Sequence, residues 1–105
     1  MNITRLLFVT LIFTIGLCQA QTFEISGKVI DTSNEKVPFA NILLLSSADS
    51  TFVQGTSADE NGRFLLRGVE PNLYLLQASY VGSGSKPLAL DIKADVKLGA
   101  LIILL

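Results

Sequence analysis

The chain has 105 residues, with eight basic and nine acidic side chains, no histidine and a formal net charge of −1. This length allows one domain at most. The weak, interspersed charge argues against nucleic acid and an anionic membrane surface as partners. Without histidine the chain lacks the commonest general base, the commonest zinc ligand and the Ser-His-Asp arrangement.

The N-terminal segment is typical of a secretory signal peptide. Arg5 supplies the positive start, residues 6–17 form a largely apolar run, and Cys18 and Ala20 place small residues at the cleavage-site positions. A run this short falls below the roughly 20 residues of a membrane helix. We predict a signal peptide at residues 1–20 and one exported domain at 21–105, in the periplasm or associated with the outer membrane. An uncleaved anchor and a lipoprotein acylated at Cys18 stay open as alternatives.

The exported part would contain no cysteine, because Cys18 is the only one in the chain. A disulfide framework and thiolate chemistry are therefore excluded, and the domain must be stabilised by its core. Removing Arg5 leaves seven basic against nine acidic residues, a net charge near −2.

Short segments of alternating apolar residues, separated by polar turns, predict strands and no helix beyond residue 21. The predicted strands are 23–29, 39–45, 52–56, 63–67, 73–80, 88–92 and the apolar end at 98–105. Gly27 predicts a bulge or a close backbone approach. Seven short strands in about 85 residues predict an all-β, antiparallel Greek-key β-sandwich.

Several details of the strands are also predicted. Leu43 and Leu45 lie opposite the apolar face of their strand, which suggests other protein on both sides. The aromatic residues fall mostly on inward positions, and the glycine- and serine-rich residues 82–85 form a flexible turn. The apolar end has two interpretations: a final strand packed in the sandwich, or the remnant of a chain that continued into a larger protein.

Residues 59–62 predict a tight turn, because an Asx side chain bonds the backbone two residues on and Gly62 tolerates positive φ. If Gly62 were the invariant glycine of a calcium loop, the twelfth position would be Gly68, so the required glutamate is missing. No helix follows the glycines at 82 and 84 to bind phosphate. We predict no catalytic, cofactor-binding or metal-binding residue and no cofactor.

The segments 25–31, 37–42, 59–64 and 74–82 together resemble the carboxypeptidase-regulatory-like domain, over roughly residues 23–92. The structural residues of this resemblance are Gly27, Asp31, Pro38, Ala40, Asp59, Gly62, Phe64, Tyr74 and Gly82. Two positions depart from the family pattern: Asn72 stands where glycine is usual, and Ser83 where an aromatic residue is common.

The resemblance implies a transthyretin-like, seven-stranded β-sandwich and no enzyme activity, since the catalytic domain of metallocarboxypeptidases is absent. An exported copy resembles the N-terminal extension of TonB-dependent receptor barrels of the Bacteroidetes type. The expected function is an accessory or interaction module of such an outer-membrane system, with protein partners, or a truncated fragment of one. The alternative is a free-standing secreted sandwich that binds a carbohydrate or peptide. The oligomeric state is not predicted.

Overall fold

Residues 21–103 are described by a computed structural model, in which they form two β-sheets packed face to face. The strands are β1 (Phe23–Asp31), β2 (Asn41–Ser46), β3 (Phe52–Ser57), β4 (Arg63–Val69), β5 (Asn72–Tyr80), β6 (Ser83–Gly84), β7 (Leu88–Ile92) and β8 (Val96–Ile103). Seven correspond to predicted strands, and β6 adds two residues, so the predicted all-β sandwich is confirmed. The predicted signal peptide lies outside the described residues, as do the last two residues of the apolar end.

The two sheets differ in width. Sheet A contains three strands in the order β4-β1-β8, and sheet B contains β3-β2-β5, with β6 and β7 both paired to the free side of β5. Neighbouring strands are antiparallel, except that β1 and β8 run parallel from the pair Ile25–Val96 to the pair Asp31–Ile103. A parallel pair needs a long connection between its strands, and here the whole domain provides it.

The core lies between the inner faces of the two sheets. Period-two alternation sends Ile25 and Val29 of β1 inward toward Ile42 of β2, and all three are fully buried. Each such side chain contributes roughly 1.5–3 kcal/mol on burial. The C-terminal strand belongs to this core, because Leu101 and Ile103 of β8 are also buried.

The predicted start of the second strand at residue 39 is wrong. Phe39 lies in a turn with φ 60° and 65% of its surface exposed, two residues before β2 begins at Asn41. Pro38 before it fixes the first central position of this turn, which leaves Phe39 at the position of positive φ.

The inward placement of the aromatic residues is correct for Phe64 and Tyr74 and wrong for Phe39 and Phe52. Phe52 is 64% exposed, because it pairs with Leu45 on the outer face of sheet B. Leu45 is half-buried on that face, where no second layer of described residues covers it. Cover of this face by another protein stays a prediction.

The flexible turn predicted at residues 82–85 is wrong in part. The chain reverses at Val81 and Gly82, both with positive φ, as a type I′ two-residue hairpin turn requires. Residues 83–84 then form β6, and Ser85 is buried. The Ser85 backbone N–H donates to the Ala78 carbonyl oxygen at 2.8 Å, and the Ala78 N–H donates to Ser85 Oγ at 2.9 Å.

Candidate functional site

Most of the predicted structural residues meet at one end of the sandwich. Asn41, at the start of β2, pairs with Ser57 of β3 and Ser79 of β5, so the turns after β3 and β5 lie beside the turn before β2. We call this the turn end; it comprises residues 31–40, 58–62 and 81–82. It contains Asp31, Pro38, Ala40, Asp59, Gly62 and Gly82, whereas Gly27 and Phe64 pair within sheet A and Tyr74 lies in the other half of β5.

Both aspartates of the turn end bind backbone. Asp59 Oδ1 accepts the N–H groups of Asn61 at 2.8 Å and Arg63 at 2.9 Å. These hydrogen bonds, with the charges of Arg63 and Lys36, lower the pKa of Asp59 below its usual value. Asp31 Oδ1 accepts the N–H groups of Ser33 at 2.8 Å and Glu35 at 3.0 Å. Each carboxylate therefore holds a turn together.

Gly62 is required by space as well as by conformation. Its φ is 76°, and a Cβ added there would lie 2.9 Å from the carbonyl oxygen of Val29. The Gly62 carbonyl oxygen in turn accepts the Val29 N–H at 2.8 Å. This close approach ties the turn between β3 and β4 to β1.

The other predicted structural residues also have packing roles. A Cβ at Gly27 would lie 3.0 Å from Cζ of the Phe64 ring, so the glycine makes room for that ring. The Tyr74 hydroxyl donates to the Glu70 carbonyl oxygen at 2.7 Å. Burial of Tyr74, with a smaller effect of the Glu70 charge, raises its pKa above the usual value. Ala40 is fully buried, and its carbonyl oxygen accepts the Ala58 N–H at 2.8 Å.

The two departures from the family pattern have different outcomes. Asn72 stands where glycine is usual, but it does not have a positive φ. The residue with positive φ within β4 and β5 is Gly68, with φ 67°. Asn72 Oδ1 instead lies 2.8 Å from the Leu73 backbone nitrogen, which donates to it. Ser83 lies in β6, opposite Tyr80.

The chemistry available at the turn end is limited. Asn61 Oδ1 accepts a hydrogen bond from Lys36 Nζ at 3.4 Å, so the acidic turn faces a lysine and its own backbone. Within residues 21–103, no group of three or more histidine, cysteine, aspartate or glutamate side chains is placed to hold a metal ion. In the same part of the chain, no helix is long and apolar enough to cross a membrane.

The fold concentrates basic residues on sheet A. Four of the seven lysines and arginines that follow residue 21 lie on its strands: Lys28, Arg63, Arg67 and Lys97. Lys28 pairs directly with Arg63 across β1 and β4, and Lys97 lies on the other neighbour of β1, opposite Ser26. These pairings place Lys28, Arg63 and Lys97 together on the outer face, which we call the basic face. Arg67 is 3.9 Å from Glu24.

Two shallow depressions mark the basic face. One, of about 480 Å³, is lined by Lys28, Arg63 and Lys97 together with their neighbours. The other, of about 320 Å³, shares Lys28 and Arg63 and extends to Lys36 and Asn61. Basic residues that are far apart in the sequence are therefore neighbours on one outer face.

A third depression lies at the open side of the sandwich. It is a groove of about 500 Å³ between residues 84–88 and residues 100–102 of β8. One sequence signal pointed toward this groove, the alternation of Leu88 and Leu90 in β7, but alternation cannot show that an inward face is left uncovered. No local sequence pattern predicted the basic face, because its residues are far apart in the sequence.

The fold and these surfaces define a transthyretin-like β-sandwich domain. The family model of the carboxypeptidase regulatory-like domain matches residues 24–102. The chain belongs to this family. A comparison with curated protein sequences found no match.

Solved structures share the fold at low sequence identity. A DUF3823 family protein from Parabacteroides merdae has a TM-score of 0.61 at 11% identity, over 81% of this chain and 47% of that one. The 3-chlorocatechol 1,2-dioxygenase of Rhodococcus opacus has a TM-score of 0.58 at 12% identity, over 82% and 60%. A proposed carbohydrate-binding protein, PA1324 of Pseudomonas aeruginosa, has a TM-score of 0.54 at 14% identity, over 85% and 93%. The chain thus spans less than two thirds of the first two.

Proposed function

We propose that the chain is a non-catalytic, exported accessory or interaction module of an outer-membrane, TonB-dependent receptor-like system. The family match over residues 24–102 carries this proposal. The apolar segment at residues 6–17 supports export. In this role the domain faces the periplasm and binds protein rather than a small molecule.

The surface of the domain is consistent with such a role. The carboxylates of Asp31 and Asp59, the two aspartates of the turn end, accept hydrogen bonds from backbone N–H groups. The basic face and the groove instead lie on the outside of the domain, where a partner protein can reach their residues. The three cations of the basic face suit a partner with an acidic patch and would speed and orient the encounter.

The experiment is affinity purification from a Bacteroidetes host that expresses the full chain with a C-terminal tag. We expect the tagged chain in the envelope fraction, together with a β-barrel receptor of the outer membrane. A double variant Lys28→Glu and Lys97→Glu should recover less of that receptor, whereas Lys93→Glu, a lysine of the β7–β8 connection, should recover as much as the wild type. Recovery of the tagged chain in the cytoplasm would rule the proposal out.

A second candidate is a free-standing secreted sandwich that binds a carbohydrate. The likeness to the proposed carbohydrate-binding protein of Pseudomonas aeruginosa, of which the chain covers 93%, favours this candidate. Its test is a glycan array. Binding that is lost in Tyr80→Ala, next to the turn end, and kept in Lys28→Ala would support it, and a blank array would count against it.

A further inference from the structure

The edge strands of the two sheets match on one side of the sandwich and do not match on the other. On one side β4 lies against β3, and Gln54 Nε2 of β3 donates to the Arg67 carbonyl oxygen of β4 at 2.8 Å. On the other side β8 lies against β5, and β6 and β7 continue sheet B beyond it. Sheet B is therefore one strand wider than sheet A on this side, and within residues 21–103 no strand lies over β7.

Two leucines of β7 under this vacant position are incompletely covered. Leu88 of β7 pairs with Leu76 of β5, so both side chains point to the interior of the sandwich. Leu76 is fully buried, but Leu88 is 37% exposed. Leu90, two residues on along β7, is only partly buried against the core. A fourth strand in sheet A would cover both leucines.

The edge of β8 offers hydrogen bonds to such a strand. Among the described strands β8 pairs only with β1, so the backbone groups on its other side face the groove. Its first half carries two features that discourage pairing: Lys97, and a register shift where two residues of β8 face one of β1. Residues 100–103 carry no charge, proline or bulge and present about 13 Å of regular edge.

From this geometry we infer that the groove beside β8 binds an extended segment of a partner protein, which adds to sheet A as a fourth strand. Lys86 is the one charged residue that lines the groove in the described part of the chain. The segment is therefore apolar on the side that faces Leu88 and carries an acidic residue near Lys86. Main-chain hydrogen bonds to residues 100–103 supply affinity, and these two contacts supply specificity. The inference rests on the proposed function and names its partner's chemistry.

A second folded copy is a poorer occupant. A two-fold related copy that paired its β8 with this β8 would carry its own sheet B on the same side. Its β5 would then need the place that β7 already occupies. A single extended segment meets no such obstacle.

The experiment selects phage-displayed random octapeptides against the full-length chain and measures binding of a recovered peptide by fluorescence anisotropy. We expect peptides that alternate apolar residues and contain an acidic one. Leu88→Lys should weaken binding at least tenfold. Leu73→Lys is the matched control, because Leu73 is an exposed leucine on the outer face of β5, and it should leave the affinity unchanged. If Leu88→Lys does not fold, Leu88→Ser, which removes the apolar contact without adding a charge, replaces it with the same expectation.

Charge reversal tests the site independently of stability. Lys86→Glu should reverse the preference between a recovered peptide and its variant with lysine in place of the acidic residue. Failure to enrich any peptide, or equal weakening by Leu73→Lys, would overturn the inference. A protein that binds these peptides but recovers no receptor from the outer membrane would overturn the proposed function and leave the strand-binding groove intact.

Discussion

At the scale of single residues, two glycines with positive φ allow the cost of backbone conformation to be measured apart from the cost of a steric clash. Gly62 and Gly68 have φ values of 76° and 67°, but only at Gly62 does an added Cβ meet a nearby atom, the Val29 carbonyl oxygen. We expect Gly68→Ala to lower the free energy of unfolding by about 1–2 kcal/mol, the cost of left-handed backbone. Gly62→Ala should cost about 1–3 kcal/mol more, because the backbone of β1 must shift. Urea denaturation of both variants measures the difference, and equal losses would contradict the clash.

The carboxylate of Asp59 makes the stability of its turn depend on pH. Its folded-state pKa is lowered from 3.8 by hydrogen bonds from the Arg63 and Asn61 backbone N–H groups. A lowered pKa means that the stabilisation is complete above about pH 4 and is lost as the pH falls through the folded-state value. We expect Asp59→Ala to lower the thermal midpoint at pH 7 and to approach the wild type near pH 2.

Glu60→Ala is the control for this experiment, since it removes the neighbouring carboxylate of the same turn. Its difference from the wild type should be small at pH 7. A difference between Asp59→Ala and the wild type that grows on acidification would contradict the assigned role of the carboxylate.

At the scale of elements, β8 is held by one face only. Leu101 is 7% exposed and Ile102 is 53% exposed, although they are adjacent in the strand. We expect Leu101→Ala to destabilise the protein by about 2–5 kcal/mol, through lost burial and a cavity. Ile102→Ala should cost less than about 1.5 kcal/mol. Chemical denaturation measures both, and a large loss at Ile102 would show that this side chain is covered.

At the scale of the whole molecule, the fold sets like charges side by side. Lys28 and Arg63 are directly opposite in sheet A, an arrangement that destabilises a strand pair. We expect Lys28→Glu to raise the free energy of unfolding by about 0.2–1 kcal/mol at low salt. The gain should shrink near 1 M salt, where the Debye length is about 3 Å.

The control for Lys28→Glu is Lys93→Glu. Lys93 Nζ lies 3.3 Å from Asp91 Oδ2, so reversal there removes an attraction and should not stabilise. Thermal melts at two salt concentrations make the comparison. A gain that does not respond to salt would contradict an electrostatic cause.

The sequence by itself determined most of the strands, the turn at residues 59–62 and, through the resemblance, the family of this protein. Short, mostly alternating segments between polar turns located β1 to β5 and β7, because the side chains of a strand point to alternate faces whatever its neighbours are. The apolar run at residues 98–105 indicated β8. The turn at Asp59 to Gly62 was also predictable, since its aspartate and glycine act on backbone within four residues. The motif residues Gly27, Phe64 and Tyr74 came from the resemblance to the family, and packing explains their contacts.

Only the tertiary structure decided which strands are neighbours, and with them the candidate surfaces. The parallel pairing of β1 with β8 joins the two ends of the domain, and the basic face joins Lys28, Arg63 and Lys97 from three strands. Leu88 is exposed because, among the described residues, sheet A has no strand above β7. Alternation could predict that the Leu88 side chain points inward, but it could not predict that this side chain is uncovered. Pairing and cover are contacts between residues distant in sequence, and a local pattern contains no information about the partner.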